Sequence, residues 1–389
     1  MDYIPHKPIF VIKRTLADQL TKRLDDPKAL IVLGPRQVGK TTLIRALMTP
    51  HQSETVWWNG DDADIRSSLH KTTAARLKHL VGNHRYLVID EAQRIENIGL
   101  CIKLIIDNLP DVKVIATGSS SFDLANKINE PLTGRKREYH LMPLSFGEMV
   151  NHAGLLEERR TIEHRLLYGY YPEVVTQRGQ EQEILRELSS SYLYKDILTW
   201  EEIRKPDQLE KLVQAIAFQI GQQVSNRDLA ETCGLDAKTV TRYINVLEKS
   251  FIVFSLDSFS RNLRNELKKS RKIYFYDLGI RNAVIKNFQS ISLRDDVGAL
   301  WENFMIVERF KWLENNRKNV NRYFWRTTQQ QEIDYIEERE GLLHAYEFKW
   351  SGKGKKQPTL TFRKAYPKSE FKFVHRENFE DMLVPLKKL

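Results

Sequence analysis

Short apolar runs alternate with helical periods along the first third of the chain. Residues 29–34 (ALIVLG) form an apolar run that ends in glycine, and the next stretch, GPRQVGKTTLIRALM, changes to a helical period. Two further apolar runs, YLVIDEA at 86–92 and VKVIATGSS at 112–120, flank a helical stretch around IGLCIKLIIDNL. Strands that alternate with helices in this way predict a parallel sheet with helices on both faces.

The pattern changes twice toward the C-terminus. From Leu144 to about Asp207 it is mostly helical, with an aromatic cluster at YGYYPEVV, and this stretch predicts a helical lid. Short helical segments and then the strands FIVFSLDSF and KIYFYDLG follow, and the polar stretch NFQSISLRDDVG marks a boundary. We therefore predict four units, at residues 1–143, 144–208, 209–285 and 286–389.

Length and composition limit the class of protein. A chain of 389 residues is long enough for about two to four domains. Its net charge of +10 favours an anionic partner such as nucleic acid. Cys101 and Cys233 form no CxxC pair, so neither a disulfide framework nor a zinc site is indicated. No apolar run approaches the roughly 18 residues that a membrane span needs, so we expect a cytoplasmic protein with no membrane partner.

A phosphate-binding motif lies between the first strand and the first long helix. Residues 34–42, GPRQVGKTT, match GxxxxGK[ST], in which backbone N–H groups and the helix N-terminus surround the phosphates. Lys40 would reach the β- and γ-phosphates, and the Thr41 hydroxyl would complete the coordination of magnesium. The alternative for residues 34–42 is a chance glycine-rich turn that binds no nucleotide. The predicted cofactors are ATP and Mg²⁺, and the predicted nucleotide-binding residues are Gly34, Pro35, Arg36, Gln37, Val38, Gly39, Lys40, Thr41 and Thr42.

Polar residues end the two later strands of this region. Asp90 is the candidate acid that holds the magnesium, and Glu91 is the candidate general base for the attacking water. The alternative for this pair is a helix cap. Thr117 is a candidate for sensing the γ-phosphate or orienting water, although small polar residues are also common in turns.

Four segments of the chain together resemble one known family. GPRQVGKTT, VIDEAQ, IATGSSS and LTGRKREYHLMPLSFGE are similar to predicted bacterial and archaeal ATPases of the AAA+ superfamily, over residues 28–148. The resemblance implies that Arg135 is a finger that reaches the nucleotide of a neighbouring subunit, and hence that the protein is a homo-oligomer. Arg137 is close enough to take that role, and a plain surface arginine is the alternative. GYYP at 169–172 resembles the lid motif near the adenine.

A second nucleic-acid signal follows the lid. NRDLAETCGLDAKTVTRYINVLEKSFIV predicts two helices with a turn between them, and Val240, Ile244 and Leu247 share one buried face. With the basic segment SRNLRNELKKSRK this resembles a winged helix, and DNA is the predicted partner. The alternative is a protein-interaction module. The candidate DNA-binding residues are Lys238, Thr239, Arg242, Arg261, Arg264, Lys268, Lys269, Arg271 and Lys272.

Two carboxylates and a lysine stand out in QEIDYIEEREGLLHAYEFKW, residues 331–350. A hairpin centred near Glu340 and Gly341 places Asp334 opposite Glu347, and a period of two puts Glu347 and Lys349 on one face. The two carboxylates are therefore predicted to share a divalent ion, with Lys349 stabilising charge on a water or phosphate oxygen.

The upstream helix GALWENFMIVERF adds a further acid, Glu302, to this group. With WRT, EIDYI and YEFK, it resembles the PD-(D/E)xK restriction-endonuclease-like fold. The resemblance implies a catalytic set of Glu302, Asp334, Glu347 and Lys349, in which Asp334 and Glu347 bind the metal. The alternative is a module of the same fold that holds DNA or is purely structural.

These inferences combine into one prediction of fold and function. We predict an α/β protein with a P-loop AAA+ ATPase core, a helical lid, a winged helix and an α/β restriction-endonuclease-like C-terminal domain. Its function would be Mg²⁺-dependent ATP hydrolysis, coupled in an oligomer to the binding, remodelling or processing of DNA. The alternative is a nucleotide-dependent signalling switch whose last two modules bind protein partners. The catalytic residues of the ATPase would be Lys40, Glu91, Thr117 and Arg135.

Overall fold

A five-stranded parallel sheet forms the N-terminal part of the protein. The computed structural model describes residues 12–119, 132–190, 203, 205–261, 270–354 and 357–384. The strands lie in the order β2-β3-β4-β1-β5, and every pair is parallel, which confirms the predicted parallel sheet. They are β1 (Ala29–Leu33), β2 (Thr55–Asn59), β3 (Tyr86–Asp90), β4 (Lys113–Gly118) and β5 (Lys136–His140).

Helices cover both faces of this sheet, so its interior strand β1 is apolar at every position. All five residues of β1 are buried. Leu30 and Val32 belong to one apolar cluster, and Ile31 and Leu33 belong to another on the opposite face. The helices of this region are α1 (Thr15–Thr21), α2 (Lys40–Met48), α3 (Ala63–Leu69), α4 (Ala74–Val81) and α5 (Ile98–Asn108), with 3₁₀ turns at Thr49–Glu54 and Ala92–Arg94.

The predicted helical lid is helical in its described part. Its loop at 169–172 is fixed by the end of a later strand, because the Asp277 carboxylate accepts a hydrogen bond from the Tyr170 N–H at 2.7 Å. A Cβ on Gly169 would lie 2.2 Å from an oxygen of the same carboxylate, so this close approach requires glycine. The lid helices are α6 (Phe146–Ala153), α7 (Leu155–Arg160), α8 (Ile162–Tyr168), α9 (Pro172–Thr176) and α10 (Glu181–Ser190).

A second, seven-stranded mixed sheet runs through both of the remaining predicted units. Its order is β12-β11-β10-β9-β7-β8-β6, and β7 joins β9 as a parallel pair. The boundary that we predicted near residue 286 thus falls within the segment that connects strands of one sheet, and the domain limits stay predictions. The strands are β6 (Gln223–Val224), β7 (Val253–Ser258), β8 (Arg271–Phe275), β9 (Asn321–Arg326), β10 (Glu332–Arg339), β11 (Leu342–Phe348) and β12 (Glu370–Val374).

The helices of this half of the chain fall into two groups. The first group is α11 (Pro206–Phe218), α12 (Asn226–Cys233), α13 (Ala237–Lys249) and α14 (Leu278–Val284). The second is α15 (Val297–Asn315), α16 (Leu360–Ala365) and α17 (Glu380–Leu383), with a 3₁₀ turn at Ile291–Leu293. In the described residues, no helix is both long and apolar enough to cross a bilayer.

Helix α15 is buried around most of its circumference because it packs against both halves of the molecule. Its Asn303 side chain hydrogen-bonds both the N–H and the carbonyl of Phe275 in β8, each at 2.9 Å. Further along the helix, Glu308 accepts from the Phe146 N–H at 2.7 Å. Phe146 follows β5, the last strand of the five-stranded sheet. The Lys311 ammonium, 2.7 Å from Glu308, compensates this buried charge. The helix therefore connects the second sheet to the first.

Candidate functional site

The phosphate loop leaves the carboxyl end of β1 and enters α2. Gly34 lies against the segment that follows β5, because a Cβ on Gly34 would be 2.0 Å from the carbonyl oxygen of Leu141. Gly39 is the N-cap of α2 with φ of 90°, and no side chain caps this helix. An uncapped helix N-terminus at the end of a parallel sheet favours an anion. The loop therefore has the geometry that a phosphate requires, as predicted from residues 34–42.

Lys40 occupies the first turn of α2 and is buried. Its ammonium donates to the carbonyl oxygens of Gly34 at 2.8 Å and Pro35 at 2.7 Å. The only cation that the motif assigns to the phosphates is thus held inside the loop itself.

Asp90 is the centre of a hydroxyl–carboxylate network that joins the ends of β3 and β4 to the first turn of α2. The Thr41 hydroxyl donates to one carboxylate oxygen at 2.8 Å, and the fully buried Thr117 hydroxyl donates to the other. Thr117 also accepts from the backbone N–H of Glu91 at 3.2 Å. The structure therefore places Thr117 as a positioning residue for both acids.

Glu91 lies beside a glutamine that sequence reasoning did not assign. Gln93 donates to the Glu91 carboxylate at 2.5 Å and to the Ser119 hydroxyl at 2.9 Å, so it connects the ends of β3 and β4. Glu91 adopts a left-handed conformation with φ of 49°, which turns the chain sharply after Asp90. The signal for Gln93 was present in VIDEAQ, two residues after the acid.

A second residue that sequence reasoning missed is Arg14, which has no motif around it. Its buried guanidinium donates to the carbonyl of Val38 in the phosphate loop at 2.8 Å and to that of Met142 at 2.5 Å. Glu148 accepts from the same guanidinium at 3.1 Å. Arg14 therefore fixes the loop against the segment that follows β5.

An apolar cavity of about 380 Å³ lies next to the phosphate loop. The loop contributes Val38 and Gly39, and the GYYP motif contributes Pro172; the position of that motif near an adenine stays a prediction. A mostly apolar cavity beside a phosphate site suits a nucleobase. Its lining includes Ile12, Ala17, Thr42, Leu43, Ala46, Leu144 and Thr176.

Arg135 lies at the amino ends of the parallel strands, whereas the phosphate loop lies at their carboxyl ends. It directly precedes β5, and its carbonyl accepts from the Ala29 N–H at 2.9 Å, where β1 begins. Its guanidinium pairs with Asp107 at 2.7 Å, and both side chains are more than one-third exposed. Arg135 is therefore not placed to reach the nucleotide of its own subunit.

In the winged-helix segment, the predicted buried face is confirmed by Val240, Ile244 and Leu247, which are all buried. Lys238 is exposed in the first turn of α13. Thr239 is used in the N-cap, because its N–H and hydroxyl donate to Asp236 at 2.9 and 2.6 Å.

The remaining candidate DNA-binding residues have mixed positions. Arg242 is half-buried, with its guanidinium 5.5 Å from the ring of Tyr243. Arg261 is exposed and pairs with Glu338 at 2.6 Å, and Arg271 donates to the Asn226 side chain. The candidates Arg264, Lys268 and Lys269 lie outside the described residues.

Lys272 was predicted to bind DNA, and this prediction is wrong for the conformation described. The residue is only 1% exposed. Its ammonium lies 3.0 Å from Glu302 and also pairs with Glu332. The basic residues around Lys272 suggested an exposed segment. In the structure β8 is an interior strand, and Lys272 faces helix α15.

The C-terminal hairpin has the predicted register. Tyr335 pairs with Tyr346, and continuation of this register puts Asp334 opposite Glu347. The Lys349 ammonium lies 2.7 Å from Glu347 and 3.5 Å from Asp334. The pairing of β10 with β9 shifts by one residue between positions 333 and 336, so a bulge lies at Asp334. The structure thus brings the three side chains together.

Glu302 joins the same neighbourhood from α15 but is already engaged. It accepts from the Tyr274 hydroxyl at 2.6 Å and from Lys272 at 3.0 Å. Burial raises the pKa of Glu302 to about 7, against the lowering effect of Lys272. Burial and the charge of Asp334 likewise raise the pKa of Glu347.

The fit of these carboxylates to a metal is poor. Within the described part of the chain, no three Asp, Glu, His or Cys side chains are arranged to hold a metal ion. One oxygen of Asp334, Oδ2, accepts from the Phe348 N–H at 2.8 Å and lies 3.5 Å from the Lys349 ammonium. The metal site predicted at Asp334 and Glu347 therefore has no support in the geometry.

The parallel sheet and its phosphate loop are similar to those of an AAA-type P-loop domain. Residues 26–150 match the model of the AAA domain family. Residues 159–291 and 297–385 match two domains of unknown function, DUF8612 and DUF4143.

The relatives cover most of the chain at low identity. An uncharacterized protein of Mycobacterium tuberculosis is 25% identical over 347 residues, which are 88% of this chain and 74% of the relative. An uncharacterized protein of Haemophilus influenzae is 21% identical over 301 residues, 71% of this chain and 74% of the relative.

Among solved structures, the RuvB Holliday junction branch migration motor of Thermotoga maritima is 14% identical with a TM-score of 0.29. The match covers 62% of this chain and 89% of that one. The Pif1 helicase of Candida albicans is 12% identical with a TM-score of 0.28, over 46% and 48% of the two chains. TM-scores in this range do not establish a shared fold.

Proposed function

We propose that this chain is a Mg²⁺-dependent ATP hydrolase that acts as an oligomer and couples nucleotide turnover to binding, remodelling or processing of DNA. The observation that carries the hydrolase part is the position of the Asp90 carboxylate between the Thr41 and Thr117 hydroxyls, at the carboxyl edge of the parallel sheet. A hydroxyl from the phosphate loop next to a strand-end acid is the ligand pair that a P-loop domain uses for magnesium.

Each residue of the site has a distinct role in this proposal. The loop backbone and Lys40 bind the phosphates, and Thr41 with Asp90 would hold Mg²⁺. The metal, when bound, neutralises charge on the phosphate oxygens. Glu91 takes the proton of the attacking water, and Gln93, at 2.5 Å, fixes the direction of the Glu91 carboxylate.

The position of Arg135 supports the oligomer. The γ-phosphate site lies at the carboxyl edge of the sheet, and Arg135 lies where β1 and β5 begin. An arginine at that edge contributes to hydrolysis only at the site of another subunit. Its ion pair with Asp107 is surface-exposed and therefore weak, so it does not prevent such a contact.

The DNA part of the proposal is supported by the first turn of α13. Lys238 is exposed there, two residues after the N-cap Asp236. In helix-turn-helix modules, the first turn of the second helix contacts DNA. The net charge of +10 favours the same class of partner.

The C-terminal module supports a nuclease-like fold without supporting cleavage. Its order is helix α15, strands β9, β10 and β11, helix α16 and strand β12, and β12 pairs in parallel with β11. This order agrees with the proposed restriction-endonuclease-like module. Because its carboxylates do not fit a metal, we assign the module a DNA-holding role and no cleavage step.

The test is ATP turnover by the full chain with and without single-stranded, duplex and branched DNA. Wild-type protein is expected to release phosphate faster with at least one form of DNA, and Lys40→Ala is expected to abolish turnover. Lys238→Ala should lose the stimulation and keep the basal rate, whereas Lys22→Ala, which removes an exposed lysine near the ATPase core, should change neither.

Two results would overturn the proposal. Absence of basal turnover in folded wild-type protein would refute the hydrolase assignment. Turnover that no form of DNA changes would refute the DNA part and favour a switch that acts on protein partners.

A further inference from the structure

The ammonium of Lys272 is buried among carboxylates, away from the phosphate loop. It lies in the interior strand β8, 1% exposed, and pairs with Glu302 at 3.0 Å and with Glu332. Burial works against its charged form, but the two carboxylates outweigh this and raise the pKa of Lys272. Lys272 is therefore a permanent cation at neutral pH.

The carboxylates around it come from two different elements. Glu302 belongs to α15, and Glu332 and Asp334 belong to β10. Their packing is tight, because a Cβ on Gly221 would lie 3.4 Å from a carboxylate oxygen of Glu302. The Tyr274 hydroxyl also donates to Glu302 at 2.6 Å. Without a cation, these acids would repel each other in a buried place.

A second ammonium and a guanidinium offset further carboxylate charge in this cluster. Lys349 pairs with Glu347 at 2.7 Å and lies 3.5 Å from Asp334. Arg326 lies 3.3 Å from Glu332. Four carboxylates thus meet three side-chain cations, each within ion-pair distance of at least one acid.

This arrangement differs from a site for a hard divalent ion. Magnesium requires about six oxygen ligands near 2.1 Å in octahedral geometry. An ammonium instead has three donors and forms hydrogen bonds of about 2.8 Å, and the distances from Lys272 to Glu302 (3.0 Å) and from Lys349 to Glu347 (2.7 Å) are close to this value. The Lys272 side chain enters from a strand that belongs to the winged helix, not to the module that carries the acids.

We propose that Lys272 is the built-in cation of the carboxylate cluster formed by Glu302, Glu332 and Asp334, and that it takes the place of a divalent metal. The cluster is consequently closed to metal ions, and its charge ties the ribbon of the winged helix to α15 and β10. This inference is independent of the ATP hydrolase proposal.

The test compares Mn²⁺ binding by full-length wild-type protein and Lys272→Met, which keeps most of the length of the side chain and removes the charge. In the absence of nucleotide, Lys272→Met is expected to bind one more Mn²⁺ ion than wild type, measured by calorimetry or by the free Mn²⁺ signal in paramagnetic resonance. The additional ion should disappear in Lys272→Met/Asp334→Asn. Mn²⁺ should also raise the melting temperature of Lys272→Met and leave that of wild type unchanged.

Two outcomes would overturn the proposal. One is a wild-type protein that binds Mn²⁺ in a manner sensitive to Asp334→Asn, because the metal and Lys272 would then coexist. The other is a folded Lys272→Met protein that gains no ion.

If Lys272→Met does not fold, the wild-type protein itself provides the measurement. Acylation of lysines, read by mass spectrometry, is expected to leave Lys272 unmodified with or without millimolar Mn²⁺, while the exposed Lys353 reacts in both conditions. Reaction of Lys272 that begins only when Mn²⁺ is added would show that a metal displaces the ammonium, and would refute the inference.

Discussion

Thr117 offers a sharp test of how the hydrolysis site is organised, because one hydroxyl serves two acids. It donates to Asp90 and accepts from the Glu91 N–H at 3.2 Å, at a fully buried position. Thr117→Val preserves the shape of the side chain and removes both hydrogen bonds. The Glu91 N–H then lacks an acceptor, and one oxygen of Asp90 lacks a donor.

The expected size of the effect follows from these contacts. A hydrogen bond to a charged group contributes about 1.5–3 kcal/mol, and a similar cost applies to a buried group left unsatisfied. If this positioning is lost in the transition state, turnover falls roughly 10- to 100-fold. The KM for ATP should change little, because the phosphate loop is untouched.

Thr117→Ser is the matched control, because it keeps the hydroxyl and loses one methyl group. The lost methyl costs about 1 kcal/mol of unfolding free energy, but turnover should remain near that of wild type. Steady-state phosphate release and urea unfolding on the three proteins separate the two effects. A Thr117→Val protein with wild-type turnover, or a Thr117→Ser protein slower than Thr117→Val, would refute the positioning role.

Three further outcomes are expected. Glu91→Gln should bind a labelled ATP analogue as wild type does but stall hydrolysis, because the base is lost while Asp90 is intact; normal phosphate release would contradict its role. Arg135→Ala should turn over slowly with ATP affinity unchanged, and mixing it with Glu91→Gln protein should restore part of the activity; no recovery at any ratio would exclude action between subunits. For His140, burial opposes protonation, but the hydrogen bonds that its ring donates to the carboxylates of Glu138 and Glu314 raise its pKa to about 9. The folded-state pKa lies above the unfolded value of about 6.5, so this stabilisation is complete below pH 6.5 and is lost as the pH rises through 9, by at most about 3 kcal/mol. Urea unfolding at both ends of this window should show the loss in wild type and not in His140→Gln, and equal pH dependence in both would contradict the assignment.

The parts of the site that sequence could predict are those set by local geometry. The phosphate loop is one contiguous segment between a strand and a helix, so its position followed from residues 34–42 alone. The pairing of Asp334 with Glu347 followed from the turn at Glu340 and Gly341, where φ is 50° and 79°. Two positive φ values suit the tight hairpin turn that fixes the register.

The parts that sequence could not predict depend on distant partners. Lys272 lies in a basic run, and nothing near it in the sequence indicates that Glu302, thirty residues later, faces it from a helix. Arg14 has no motif, and its role arises only when the phosphate loop folds against it. The parallel pairing of β7 with β9 joins segments more than sixty residues apart, and such register has no local signal.

Because β7 pairs with β9, the chain should not tolerate division into separate fragments or replacement of one half by that of another protein. A fragment that begins near residue 286 would lose the strand next to β9 and present an open row of N–H and C=O groups, which invites aggregation. The complementary fragment would expose the edge of β7 in the same way. Neither half could be removed or exchanged by recombination without leaving an unpaired edge, so the two halves are expected to be inherited as one piece.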